Sequence, residues 1–160
     1  MDKLDVLRVT FDAADRLIGD YYLVSVDGSN RIYDGFRSQL YDFSIVSTKI
    51  VADDICIVEM RYSKRIFGWT YILYSNGVRI FSEEYVTLLM NYHNLDVFAT
   101  PNRANRLKCI VVDRNTHTKV FNGRVDGVCI NGYNKLEIEL SDRYEIITFD
   151  MYGNRESYSY

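Results

Sequence analysis

Residues Trp69–Phe81 read W-T-Y-I-L-Y-S-N-G-V-R-I-F. Two apolar runs flank Asn76-Gly77. An Asn-Gly dipeptide between such runs is the strongest short-range signal for a β-hairpin, because a type I′ turn needs positive φ at both central residues. The motif recurs loosely three more times. Val24–Tyr33 reads V-S-V-D-G-S-N-R-I-Y around Asp27-Gly28, Ile110–Phe121 reads I-V-V-D-R-N-T-H-T-K-V-F, and Ile146–Tyr158 carries Tyr152-Gly153. Behind the turns come a basic residue and an apolar pair: Arg31-Ile32-Tyr33, Arg79-Ile80-Phe81 and Lys119-Val120-Phe121. The fourth copy, Arg155-Glu156-Ser157-Tyr158, is degenerate.

A second anchor precedes each turn. It reads K-L-D-V-L-R-V from Lys3, D-I-C-I-V from Asp54, N-L-D-V-F from Asn94 and K-L-E-I-E-L from Lys135. Alternation with period two marks each as a half-buried strand. From Ile55 to Leu95 to Leu136 the spacings are 40 and 41 residues, whereas Leu4 to Ile55 is 51, so the first unit is expected to carry an insertion of about ten. Further strands are expected at Phe43–Thr48, Val86–Met90 and Gly127–Ile130, joined to the next anchor by tight turns at Asp53-Asp54, His93-Asn94 and Asn134-Lys135.

Several short strands per unit at such a period indicate an all-β chain. The expected fold is an antiparallel meander of four repeats of about 40 residues, a small propeller or propeller-like arrangement. It would be a single β-repeat domain with units near 1–51, 52–92, 93–133 and 134–160. Leu23, Ile72, Leu73, Ile110, Val112, Ile138 and Ile147 are the expected core. Two segments also fit helix: Ser82-Glu83-Glu84 ahead of V-T-L-L-M as a capped start, and a single turn within Asp12–Gly19. The repeat register favours strand for the first.

Trp69-Thr70-Tyr71-Ile72, followed by Asn76-Gly77 and Arg79-Ile80, resembles the WG (KWG) repeat family, whose units read W-G-Y-I-D-x-x-G-K-x-I. Thr70 stands for the family's glycine, Leu73 for its aspartate, and one extra residue precedes Asn76; one unit of the four carries a Trp. The resemblance implies a strand-rich tandem scaffold that binds and carries out no chemistry.

At 160 residues, 48% hydrophobic and 26% charged, the chain can bury a core without staples. No apolar run nears the ~20 residues that span a bilayer. The mixed charge and strand-like alternation of the N-terminus argue against a signal peptide. Cys56, Cys109 and Cys129 lie far apart among aliphatic residues, without Cys-x-x-Cys spacing. They read as buried, reduced thiols of a cytoplasmic protein. Catalytic motifs are absent: there is no Gly-x-Ser-x-Gly, phosphate-cradling loop or recognisable Cys–His signature. His93 and His117 read as solvated loop residues, so no metal site and no cofactor are expected. Asp53-Asp54 and Glu83-Glu84 cannot act as acid and base from one strand, where neighbours face opposite ways.

Charge is uneven. Residues 1–54 carry a net −4, residues 55–134 a net +4 and residues 135–160 a net −3. The positive excess sits in R-Y-S-K-R (Arg61, Tyr62, Lys64, Arg65) and R-A-N-R-L-K (Arg103, Arg106, Lys108), the same loop of successive repeats. Equivalent loops of adjacent repeats form one rim. The expected function is a non-catalytic protein-binding module, a small inhibitor of the phage anti-defence or toxin-immunity type, whose basic rim meets an acidic protein surface. The alternatives are an RNA or nucleotide binder using that rim, its partner an RNA-containing complex, and an enzyme with an unrecognised site. Tyr62, Tyr133, Tyr152, Tyr158 and Tyr160 at turns and terminus give the composition of protein-contact hot spots.

Overall fold

The computed structural model describes residues 2–41, 44–61, 69–100, 107–140 and 142–160, with backbone alone at 44, 61 and 69. They form an all-β fold of four antiparallel, four-stranded sheets and one short helix, α1 (Lys3–Thr10). The first sheet holds β1 (Ala13–Ile18), β2 (Tyr21–Val26), β3 (Ser29–Asp34) and β4 (Gln39–Leu40). The second holds β5 (Ser44–Ala52), β6 (Ile55–Arg61), β7 (Trp69–Tyr74) and β8 (Arg79–Ser82). The third holds β9 (Thr87–Tyr92), β10 (Leu95–Ala99), β11 (Leu107–Asp113) and β12 (Thr118–Val125). The fourth holds β13 (Gly127–Ile130), β14 (Leu136–Leu140), β15 (Glu145–Phe149) and β16 (Arg155–Ser159). Strands follow one another in chain order within every sheet. Two compact units emerge, Met1–Tyr85 and Val86–Tyr160. No helix among the described residues is long and apolar enough to cross a membrane.

The first sheet is covered on both faces, which explains the adjacent Tyr21-Tyr22. Consecutive strand residues point to opposite faces. Tyr21 joins Ile18, Ile32 and Tyr41 against Ile45, Cys56, Val58, Met60, Tyr71 and Leu73 of the second sheet. Tyr22 joins Ala14 and Val24 under Leu7 of the helix. In the second unit, Leu95, Val97, Cys109 and Val111 pack on Leu136, Ile138, Leu140, Ile147 and Phe149. The expected core residues are buried, except that Leu23 is half-buried at the edge of the first cluster.

Three expectations are corrected at the N-terminus. The stretch from Lys3 is a helix rather than the first anchor strand. Leu4, Leu7 and Phe11 recur at helical spacing and all reach the cluster beneath, while Val6 and Val9 stay 46% and 83% exposed. An eight-residue helix is marginal in isolation. Its apolar stripe, Asp5 in the first turn and Arg8 in the last hold it here. Asp12–Gly19, offered as a helical turn, contains strand β1 instead. The first repeat therefore has no ten-residue insertion. Its counterpart of Ile55 is Tyr21, only 34 residues earlier, because β2, β6, β10 and β14 hold the second place in their sheets. The helix alternative after Ser82 gives way to β9; Ser82 instead hydrogen-bonds within the bend, its hydroxyl donating to Glu84 O at 2.6 Å.

The turns are also re-typed. Asp27 and Gly28 both take positive φ, 51° and 80°, and close a two-residue hairpin from Val26 to Ser29. At the Asn-Gly turn Gly77 alone is positive, at 96°. There Gly77 N–H donates to Tyr74 O at 3.1 Å, and Tyr74 N–H donates to Val78 O at 2.9 Å. That is a type I turn closed by a glycine bulge, not a type I′ turn. Asp150–Asn154 repeats it, with Gly153 at 81°. A recurring carboxylate organises three strand ends. Asp34, Asp113 and Asp150 follow or end β3, β11 and β15, and each accepts backbone N–H groups two or more residues ahead through Oδ1. Aspartate favours such turns for this reason.

Candidate functional site

Most of the expected basic site lies outside the described residues, namely Tyr62, Lys64, Arg65, Arg103 and Arg106. Arg61 ends β6. In sequence, residues 62–68 fall between β6 and β7, and residues 101–106 between β10 and β11. Lys108, in β11, is half-buried. Its backbone is locked to Thr100, the Thr100 N–H donating to Lys108 O at 3.0 Å and the Lys108 N–H donating to Thr100 Oγ1 at 3.1 Å. Directly opposite Lys108 in the ladder stands Arg124, which the sequence reading passed over. His93 is exposed and His117 half-exposed in turns, both at positive φ. Among the described residues no three His, Cys, Asp or Glu lie close enough to hold a metal ion.

The cysteine expectation divides. Cys56 and Cys109 are buried, and burial pushes their thiols up to about 11 and about 12. Cys129 is exposed, in the edge strand β13, whose last two residues are both exposed. Partial desolvation, then the negative charge of Glu137 opposite, raises its thiol too.

A buried polar cluster lies inside the first unit, where the sequence reading placed no function. Asp34, wholly buried at the end of β3, accepts N–H bonds from Phe36 at 2.9 Å and Arg37 at 3.3 Å through Oδ1. Its other oxygen accepts the Tyr41 hydroxyl. The Arg79 guanidinium of β8 stacks over the Tyr41 ring, 3.8 Å from its centroid, and lies 5.8 Å from that of Tyr71. Arg79 is half-buried, whereas Tyr21, Tyr71 and Asp34 are 0–1% exposed. The hydroxyls of Tyr21 and Tyr71 have no hydrogen-bond partner. Burial, then the Asp34 charge, pushes the Tyr21 phenol up to about 12 against the pull of Arg79 and Arg37. Burial above all raises Tyr41 and Tyr71 as well, and Arg79 opposes it in both. One guanidinium thus acts on three phenols that also feel one another.

A second surface belongs to the fourth sheet. Tyr133, Tyr144, Tyr152, Tyr158 and Tyr160 are 86%, 64%, 82%, 50% and 57% exposed. Tyr144 and Tyr160 meet edge to face at 6.0 Å, and Tyr160 donates to Glu139 Oε1 at 3.3 Å. All five residues of β16 are exposed. Its ladder phase is fixed by Tyr160 N–H donating to Tyr144 O at 3.0 Å and Asp150 N–H to Asn154 O at 3.1 Å. Antiparallel pairs alternate between bonded and non-bonded. The N–H and C=O groups of Arg155, Ser157 and Ser159 therefore point away from β15, at the open edge.

Comparison with protein-family models, with curated proteins and with solved structures finds no significant match.

Proposed function

We propose that the protein is a non-catalytic protein-binding module, its four sheets the repeats of a propeller-like meander, and that it engages its partner by strand addition beside β16. The observation that carries this reading is the open edge itself: a strand exposed along its whole length, with three residues whose backbone groups are unpaired among the described residues, amid five exposed tyrosines. Such an edge is a ready template for an extended segment, and main-chain bonds supply the affinity. Tyrosine brings large rigid contact area at low entropic cost. Residues 135–160 carry a net −3, which favours a segment bearing Lys or Arg. Capture of such a partner would block whatever else that segment does, which is how a small protein inhibits without chemistry.

A second contact is proposed at the basic segments around Arg61–Arg65 and Arg103–Lys108, for an acidic surface of the partner or for RNA.

Capture by tagged protein, with and without nuclease, tests the proposal against Ser157→Pro. Proline at 157 removes an outward N–H and leaves the bonds to β15 in place. A partner that survives nuclease and is lost with Ser157→Pro supports strand addition. Capture unaffected by Ser157→Pro overturns it, and capture abolished by nuclease shifts the function to RNA.

A further inference from the structure

We infer that the cluster around Arg79 is a binding site for a small oxyanion, a carboxylate or phosphate group held between the guanidinium and the hydroxyls of Tyr21 and Tyr71. The cluster has more donors than acceptors. An arginine side chain offers five N–H donors and no acceptor, and a phenol donates one O–H. Asp34 is the carboxylate of the group among the described residues, and both its oxygens are taken, one by two backbone N–H groups and the other by Tyr41. Arg79 makes no hydrogen bond or ion pair among the described residues; its partners are the faces of Tyr41 and Tyr71.

Stacking fixes the guanidinium plane and leaves its edge, where the N–H groups lie, free to bind. The hydroxyls of Tyr21 and Tyr71, residues 0–1% exposed, are both unpartnered, and the guanidinium lies 5.8 Å from the centroid of the Tyr71 ring. Buried donors without acceptors are rare in native proteins, and each calls for an explanation such as a ligand. Oxygen acceptors carrying negative charge satisfy all three kinds of donor at once. Among the described charged groups that act on these phenols, Arg79 and Arg37 are positive and Asp34 negative, a balance that favours an anion. Arg79 is half-buried and is the most exposed member of the cluster. Thr70, whose hydroxyl is also buried and unpartnered, lies next to Tyr71 on β7 but on the opposite face, and is not part of the site.

The test titrates the whole protein with sodium phosphate in one arm and sodium acetate in another, at ionic strength held constant with chloride. Calorimetry reads affinity and thermal melting reads stability. Saturable binding at millimolar or lower concentration in the phosphate arm alone identifies a phosphate site, and in the acetate arm alone a carboxylate site. Arg79→Gln is expected to weaken that binding by about tenfold or more, because a hydrogen bond to a charged group is lost. Tyr71→Phe serves if Arg79→Gln fails to fold. In chloride it should melt at or above the wild-type temperature, having lost an unpartnered buried hydroxyl, yet bind the anion several-fold more weakly. A purely structural hydroxyl would move stability and leave affinity alone. No saturable binding in either arm, or affinity unchanged within about twofold in Tyr71→Phe, overturns the inference.

Discussion

Removing the hydroxyl of Tyr41 should be costly out of proportion to its size. Tyr41→Phe keeps the ring beneath Arg79 and deletes one donor to a carboxylate that is 0% exposed. A hydrogen bond to a buried charged group is worth about 1.5–3 kcal/mol. Asp34→Ala should cost more, about 3–5 kcal/mol, since it strands the Phe36 and Arg37 N–H groups as well as the Tyr41 hydroxyl. Against a total stability on the order of 5–15 kcal/mol, that approaches unfolding. The Tyr41–Asp34 bond is lost in both single variants, so the double variant should cost about 1.5–2 kcal/mol less than their sum. Urea unfolding followed by circular dichroism measures all three, provided the slope stays constant. For a chain of this size Tyr41→Phe should also lower Tm by about 4–8 °C. A Tyr41→Phe loss below about 0.5 kcal/mol, or simple additivity in the double variant, would refute the account, because surface substitutions do no more than that.

Other outcomes follow from the same geometry. A thiol reagent should label Cys129 in the native protein, slowly because its thiol is raised, while Cys56 and Cys109 react only after denaturation; native labelling of three thiols would contradict their burial. The folded state holds the protons of Tyr21, Tyr41 and Tyr71 more tightly than the unfolded chain. Their contribution to stability is therefore complete below the ordinary phenol value of 10.0 and declines as pH rises from there toward about 12 and beyond. Absorbance titration should show an exposed class ionising first and the buried class ionising only as the fold is lost. Gly19→Ala should destabilise by about 2–4 kcal/mol, since φ is +54° and an added Cβ would lie 2.1 Å from Ser75 O; an unchanged melt would show that this contact yields freely. Reversing Arg61, Arg65 and Arg106 to Glu should leave Tm level or slightly raised and weaken partner capture, less so as salt rises; equal capture at low salt would reduce these loops to a solvated surface.

Much of the β architecture was legible because central strands are buried on both faces. Runs such as I-C-I-V and I-V-V announce strands whatever lies around them, and Ile55–Val58 and Ile110–Val112 are 0–1% exposed. The first repeat misled for a definite reason. Lys3–Val9 alternates as a strand does, but its Leu4, Leu7 and Phe11 also lie on one helical face, and a cluster stood ready to receive that face. Asp27-Gly28, the stronger dipeptide, drew the alignment away from Asp34, whose turn is the true counterpart of those at Asp113 and Asp150. The anion site had no local signature. Tyr21, Asp34, Tyr41, Tyr71 and Arg79 converge from five separate places in the chain, and tyrosines in strands ordinarily signify core. The open edge was half visible, since turn and terminal tyrosines suggested exposure while the ladder phase of β16 depends on its pairing with β15.

Every ladder among the described residues joins strands that are neighbours in sequence, so each sheet is complete within one short span: 13–40, 44–82, 87–125 and 127–159. Loop-closure entropy grows only slowly with length, and contacts this local lower the barrier that makes most all-β proteins slow to fold. During synthesis the first sheet can zip before the second has left the ribosome. Aggregation-prone edges are then exposed for the time of one sheet rather than of the whole chain.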